Sequence, residues 1–447
     1  MTCVRPRTAA VFLLMLSLPC LGAEPNQDKT RERVAEVKKR IGEQYDRLEA
    51  LYKHLHANPE LSLHEVQTAA RLAKELRELG FEVTEKVGGT GIVGILKNGP
   101  GPTVLVRTDM DALPVIEKTN LPYASKVRVR DKNDNEVGVM HACGHDMHMT
   151  CWTGTARVLV GMKDRWSGTL IFIGQPAEEV GSGARLMLND GLFKRFPKPD
   201  YCLALHCNAN GAYGTIAYTE GLALANVDSV DILVKGKGGH GAAPHSTVDP
   251  IVLAARIILD LQTLVSRETN PTDPAVVTVG SIHGGSKHNI IPSEVKLQLT
   301  VRSTKDTVRK HLLDGIKRIA EAAAKGANAP PPEVTVSPEE FTPALHNDAK
   351  LTRQTVALFK EVLGADKVQE RPPVMGGEDF SRYGREGVPI FMFWLGTVPP
   401  ERMAASEKEG AAPLPSLHSD LYHPVPEPSI KTGVLAMSMA VLNLVGK

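Results

Sequence analysis

Thr169-Leu-Ile-Phe-Ile-Gly-Gln-Pro-Ala-Glu-Glu179 opens as an apolar run and ends on a turn that leads into two carboxylates. A short apolar run of that length, closed by Pro, reads as a buried strand. The same form recurs on either side. Thr103–Val106 runs into Arg107-Thr-Asp-Met-Asp-Ala-Leu-Pro114, and Tyr201–Leu205 ends at His206. Between and before these strands the period is helical. Val34, Val37, Ile41, Tyr45, Leu48, Tyr52 and Leu55 recur every three or four residues. A second helix is predicted from about Glu65 to Leu79, stopped by Gly80, and a third from about Met149 to Val160. Strands alternating with helices predict an α/β sheet, and polar groups at strand C-terminal ends mark where such sheets place their sites.

From about Asn226 the pattern changes. Val227–Val234 reads as a strand, Pro250–Val265 as a helix, and Ala275–Ile282 as a strand. Glu294-Val-Lys-Leu-Gln-Leu-Thr-Val301 alternates strictly, Asp306–Lys325 is helical, and Glu333–Val336 closes a last strand. The order β-α-β-β-α-β is the ferredoxin-like unit. From about Ser337 the chain returns to helix (Asp348–Leu363), strand (Pro389–Leu395) and a final helix (Pro428–Val445). The expectation is a larger unit in two segments, 24–224 and 337–447, with 225–336 inserted. Val398–Pro415 reads as a mobile surface loop before the final helix.

The 447 residues are 42% hydrophobic and 23% charged, with a formal charge of +1. That length favours two domains, and the composition excludes a disordered, collagen-like or multi-span membrane protein. So even a charge balance gives no case for nucleic acid or an anionic membrane as partner. Arg5 and Arg7 followed by the apolar Val11–Leu18 and by Leu21-Gly-Ala23 read as a secretory signal over 1–23, too short for a stable span. Its removal takes away two arginines and no acid, which turns the charge to −1. Such a chain is expected to be exported, to a periplasm or the medium. Of six cysteines, Cys143, Cys151, Cys202 and Cys207 then remain, too few for a disulfide framework. Cys202 and Cys207 are expected to be reduced or buried.

The densest chemical constellation is His141-Ala-Cys-Gly-His-Asp-Met-His148. A thiol and imidazoles at this spacing suit a borderline-soft divalent metal, with Gly144 allowing a sharp turn. A buried or redox Cys143 and surface histidines are the plainer alternatives. Glu178-Glu179 at a strand end offers one carboxylate for a metal and one free to move protons for a metal-activated water. His206 and His418 add further donors, enough for two ions if a ligand is shared. Asp109 and Asp111 sit where they can orient ligands.

Taken together, these residues resemble the M20 metallopeptidase group, in its amidohydrolase branch with the hippurate and auxin-conjugate hydrolases. The matching pieces are Arg107–Pro114, His141–Asp146, Gln175–Glu179, Leu205-His206, Gly236-Lys-Gly-Gly-His-Gly-Ala-Ala-Pro-His245, Asn289-Ile-Ile-Pro292, Gly376-Gly-Glu-Asp-Phe380 and Leu417-His418. The resemblance implies a mixed-sheet, zinc-peptidase-like α/β catalytic domain with an inserted ferredoxin-like lid and dimerisation domain. It implies two divalent ions per subunit (Mn, Zn, Co or Ni) on Cys143, His145, Glu179, His206 and His418. Glu178 takes the place of the general base and acid, and Asp111 that of the carboxylate in the group's His-x-Asp motif, whose histidine is Asp109 here. His240 resembles the histidine that reaches a partner's site to stabilise an oxyanion. Asn289 and Arg302 resemble residues that hold a substrate carboxylate. The implied reaction is hydrolysis of an N-acyl or aryl-acyl amino acid, in a homo-oligomer joined through the inserted unit.

Two other readings stand beside it. A dipeptidase or carboxypeptidase of the same fold also cleaves an amide beside a free carboxylate. A non-catalytic metal or peptide carrier would need no proton shuttle, yet Glu178 is present. The absence of a Gly-x-Ser-x-Gly elbow argues against a serine hydrolase.

Overall fold

The computed structural model describes residues 25–130 and 134–447. The signal sequence expected over 1–23 lies outside the described residues. Helix α1 (Pro25–Ala57) and helix α2 (Val66–Glu78) precede strands β1 (Glu82–Val87), β2 (Gly91–Asn98) and β3 (Thr103–Asp109). Helix α3 (His145–Gly161) and strands β4 (Gly168–Gln175), β5 (Tyr201–Ala212) and β6 (Ile216–Tyr218) follow. The chain then forms β7 (Asn226–Lys235), α4 (Pro250–Thr263), β8 (Ala275–Gly284), β9 (Glu294–Ser303), α5 (Asp306–Gly326) and β10 (Glu333–Val336). It returns with β11 (Val368–Glu370), β12 (Ile390–Val398) and α6 (Pro426–Val445).

The large sheet has the order β1-β2-β4-β3-β5-β12-β6-β11. Its centre is parallel (β4, β3, β5, β12), and β1 and β2 run antiparallel at one side. The sheet is therefore mixed. Its central strands are buried on both faces, which explains why they read as unbroken apolar runs. One face packs on α1, α2, α3 and α6 through Leu48, Tyr52, Leu72, Trp152, Phe172 and Val434. The other face packs on Met187, Phe380 and Tyr383. Helix α6 is long and apolar enough to cross a membrane, but it is mostly buried against α1 and α3. It serves as a core helix.

Residues 226–336 form a separate antiparallel sheet, β8-β9-β7-β10, the strand order of a ferredoxin-like unit. Its alternating strands turn one face to α4 and α5, around Ile232, Ile257, Leu261, Leu297 and Ile316.

Three local expectations change. Helix α3 begins at His145, four residues before the predicted start, because the left-handed Gly144 (φ +81°) reverses the chain directly into it. Strand β5 runs on to Ala212, so His206 lies inside the strand and does not end it. The stretch after Val398 is not all loop, since Pro400–Ser406 is helical.

Candidate metal centre

The C-terminal ends of the central strands and the N-terminus of α3 meet at one cavity of about 670 Å³. Cys143 and His145 flank Gly144, where a Cβ would come within 2.9 Å of Cys207 Sγ. Only glycine fits both that space and that backbone. Cys143 Sγ lies 3.5 Å from His206 Nε2. His418 Nε2 lies 3.4 Å from Glu179 Oε2, and His145 Nε2 lies 3.7 Å from Glu179 Oε1 and 3.9 Å from Glu178 Oε2. The donor atoms of Cys143, His145 and His206, and those of Cys143, Glu179 and His418, each fall within 4.8 Å of one another. Cys143 is common to both groups.

The rings are aimed by their far sides. His145 Nδ1 donates to the Asp111 carbonyl (2.8 Å), and His206 Nδ1 donates to the Cys207 carbonyl (2.8 Å). Each bond leaves Nε2 free toward the cluster, the usual support for a ligating histidine. Asp111 Oδ2 accepts from Ser62 Oγ (2.6 Å) and from the Glu179 N–H (3.0 Å), so Asp111 holds two of the donors in place. His148 is committed elsewhere: Nδ1 bonds Asp109 Oδ1 (2.7 Å) and Nε2 accepts the Cys207 N–H (2.7 Å).

Two residues of the site hold left-handed backbones without being glycine, Ala177 (φ +51°) and His418 (φ +69°). Such strain persists where surrounding bonds enforce it. The His418 N–H bonds the Ala142 carbonyl (2.8 Å), and the Ala177 N–H bonds Glu65 Oε1 (2.8 Å).

The charge balance also fits a pair of cations. Arg107 pairs with Asp109, Glu378 and Asp379, which leaves Glu178 and Glu179 ion-paired only with histidines among the described residues. Burial, with the Glu378 and Glu179 charges, pushes the Glu178 carboxyl well above the usual range. Burial raises Glu179 to about 7 against the pull of His145. His145 rises to about 10, since Asp109 and Asp111 outweigh the cost of burying its charge. His145 Nε2 and Glu179 Oε1 are buried with no hydrogen-bond partner. An unpartnered imidazole nitrogen and carboxylate oxygen beside a thiol and surplus acid suit borderline divalent ions.

The remaining expected residues divide. Arg302 lines the cavity. His240 and Asn289 lie together at the exposed strand pair Gly239–His240 and Ile290–Ile291, outside the cavity lining. All four cysteines described are free and buried.

A model of peptidase family M20/M25/M40 matches residues 105–419. The chain belongs to this family. Among M20 relatives, it is 36% identical over 418 residues to a protein of Saccharolobus solfataricus named thermostable carboxypeptidase 2, covering 93% of this chain and 99% of that one. It is 36% identical over 334 residues to the hippurate hydrolase of Campylobacter jejuni, covering 74% and 83%. A Bacillus subtilis crystal structure described as a dinuclear metal-binding peptidase of family M20 superposes with a TM-score of 0.70 at 30% identity, covering 90% and 99%. This M20 chain is accordingly a hydrolase of amide bonds.

Several supporting residues of the M20 site have no role that the sequence alone assigns. Arg107 and Glu378 are 271 residues apart, and only the fold makes them partners at 2.8 Å. A charged residue within the buried strand β3 is the available signal, since such a charge requires a buried partner. Glu65 carries no comparable signal, because a glutamate before a helix is ordinarily solvated.

Proposed function

We propose that the protein is an exported, metal-dependent amidohydrolase that cleaves N-acyl or aryl-acyl amino acids to a carboxylic acid and a free amino acid. The observation that carries this reading is Glu178. Its carboxylate opens onto the cavity beside the donor cluster and makes no hydrogen bond among the described residues. Divalent ions held by Cys143, His145, Glu179, His206 and His418 supply Lewis acidity to the amide carbonyl and to water. Glu178 takes the proton of the attacking water and returns it to the departing amine nitrogen. Asp111 fixes His145 and Glu179, and Arg302 on the cavity wall pairs with the substrate carboxylate.

His240 and Asn289, exposed and outside this cavity, act in the site of a second copy, where His240 donates to the oxyanion. Exposed Ile251, Val252 and Leu259 on α4 and Ile282 on the edge strand β8 support a homo-oligomer joined through residues 225–336. The basic and apolar pattern of residues 1–23 supports export.

A second reading, a carboxypeptidase or dipeptidase, is supported by the carboxypeptidase relative, which matches over 93% of this chain against 74% for the hippurate hydrolase at the same 36% identity. Rates on hippurate, N-acetyl amino acids and dipeptides separate the two. The proposal expects the N-acyl amino acids to be cleaved fastest, with activity lost to a chelator and restored by Mn²⁺, Co²⁺, Ni²⁺ or Zn²⁺. Faster cleavage of dipeptides selects the second reading, and chelator-resistant cleavage overturns both.

A further inference from the structure

The cavity has a second arginine. Arg371 follows β11, and its guanidinium lies 4.5 Å from the centre of the Trp394 ring. Trp394 is 5% exposed and pairs in register with His206 across β12 and β5, so this stack stands one strand from the donor cluster. The base of Arg371 is fixed on both sides. Its N–H bonds the Tyr218 carbonyl (2.8 Å), its carbonyl accepts Thr219 Oγ1 (2.9 Å), and Pro372-Pro373 follow. A guanidinium over an indole, on a pinned backbone, is preorganised for a planar anion.

No anion among the described residues meets it. Among the described residues neither Arg371 nor Arg302 makes an ion pair, although Glu340 lines the same cavity. Arg302 Nε donates to Thr300 Oγ1 (3.0 Å) and Nη1 to the Met375 carbonyl (3.2 Å), which leaves Nη2 without a hydrogen-bond partner among the described residues. Met375 lies four residues after Arg371, a span of at most about 14 Å. Two uncompensated guanidiniums thus border one short loop on one wall. Burial lowers both, with no carboxylate acting against it.

We propose that Arg371 is a specificity-determining residue that pairs with a second carboxylate, so that the cavity selects doubly anionic N-acyl amino acids. This rests on the amidohydrolase reading above, with Arg302 holding the first carboxylate. The second carboxylate belongs either to the amino-acid side chain or to the acyl group.

The metal-loaded enzyme is assayed on N-acetyl-L-glutamate against N-acetyl-L-glutamine, and on N-glutaryl-glycine against N-butyryl-glycine. One pair is expected to show a preference of about ten-fold or more for the dianion, seen mainly in KM. The pair that shows it identifies the source of the charge. R371Q is expected to bring that ratio to within about two-fold, and R371K to retain part of it. Ratios near one in both pairs, or a ratio that R371Q leaves intact, overturn the proposal. If none of these amides is cleaved, the amidohydrolase reading falls, and calorimetry with glutarate and butyrate decides the inference separately. Tighter glutarate binding that R371Q or R371K weakens sustains it, and equal binding of the two acids overturns it.

Discussion

The Glu65 carboxylate accepts the Ala177 N–H at 2.8 Å and so ties the start of α2 to the turn that presents Glu178 and Glu179. The same oxygen accepts the Leu63 N–H (2.9 Å), and the other accepts Thr90 Oγ1. Glu65 is fully buried. Glu65→Ala strands these donors and releases a backbone held at positive φ, at a cost of about 3 kcal/mol. Thermal melts should show the loss, and kcat should fall about ten-fold or more because Glu178 is no longer held. Glu65→Gln keeps an acceptor oxygen for Ala177 and should lose less of both. Equal effects of the two variants count against a positioning role.

Glu178→Gln removes the proton shuttle and keeps the shape of the side chain. Turnover should fall by about 10²–10⁴-fold. Metal content by elemental analysis should be unchanged, since Glu178 is not among the proposed ligands. Retained turnover would remove Glu178 from the mechanism, and lost metal would make it a ligand.

Arg107 is buried among Asp109, Glu378 and Asp379, with its Nε on Gln175 (3.1 Å). Arg107→Met leaves those carboxylates without their cation, and removing one partner of a buried ion pair costs about 3–5 kcal/mol. A urea titration should show the midpoint fall accordingly. Arg107→Lys should not restore it, because one ammonium cannot make the forked contacts. Full recovery in the lysine variant would contradict that geometry.

What is legible in the sequence follows from range. Strands β3, β4 and β5 declare themselves through apolar runs buried on both faces, and β7 and β9 through strict alternation. The donors Cys143 and His145 stand two residues apart, so their chemistry is visible locally. His206, Glu179 and His418 join them only through the fold, and the family resemblance supplies that link. The start of α3 escapes a reading by period because Gly144 acts through a left-handed turn, a tertiary demand set by Cys207. Arg371 carries no signal in the sequence, since its meaning depends on Trp394 and on the lack of an ion pair among the described residues.

Beneath the site, His56 is held between two carboxylates, Nδ1 on Asp146 Oδ2 (2.7 Å) and Nε2 on Glu117 Oε1 (3.0 Å). Burial alone would lower its pKa, but the two bonds outweigh it and raise the group to about 9. Asp146 and Glu117 are both lowered despite their own burial, with the His56 hydrogen bond the main cause. The folded pKa of His56 exceeds the unfolded value of about 6.5, so its contribution is complete below that value and is lost as pH rises through about 9. The carboxylates act in the opposite sense, and their contribution fades as pH falls below about 4. The full charged arrangement therefore stabilises the fold between about pH 5 and 6.5. A shift from about 6.5 to about 9 corresponds to about 3 kcal/mol. Unfolding free energies measured at about pH 6 and about pH 9.5 should show the difference between the wild type and His56→Gln shrink by about that amount. A difference that stays constant across that range would mean that His56 is neutral in the folded protein.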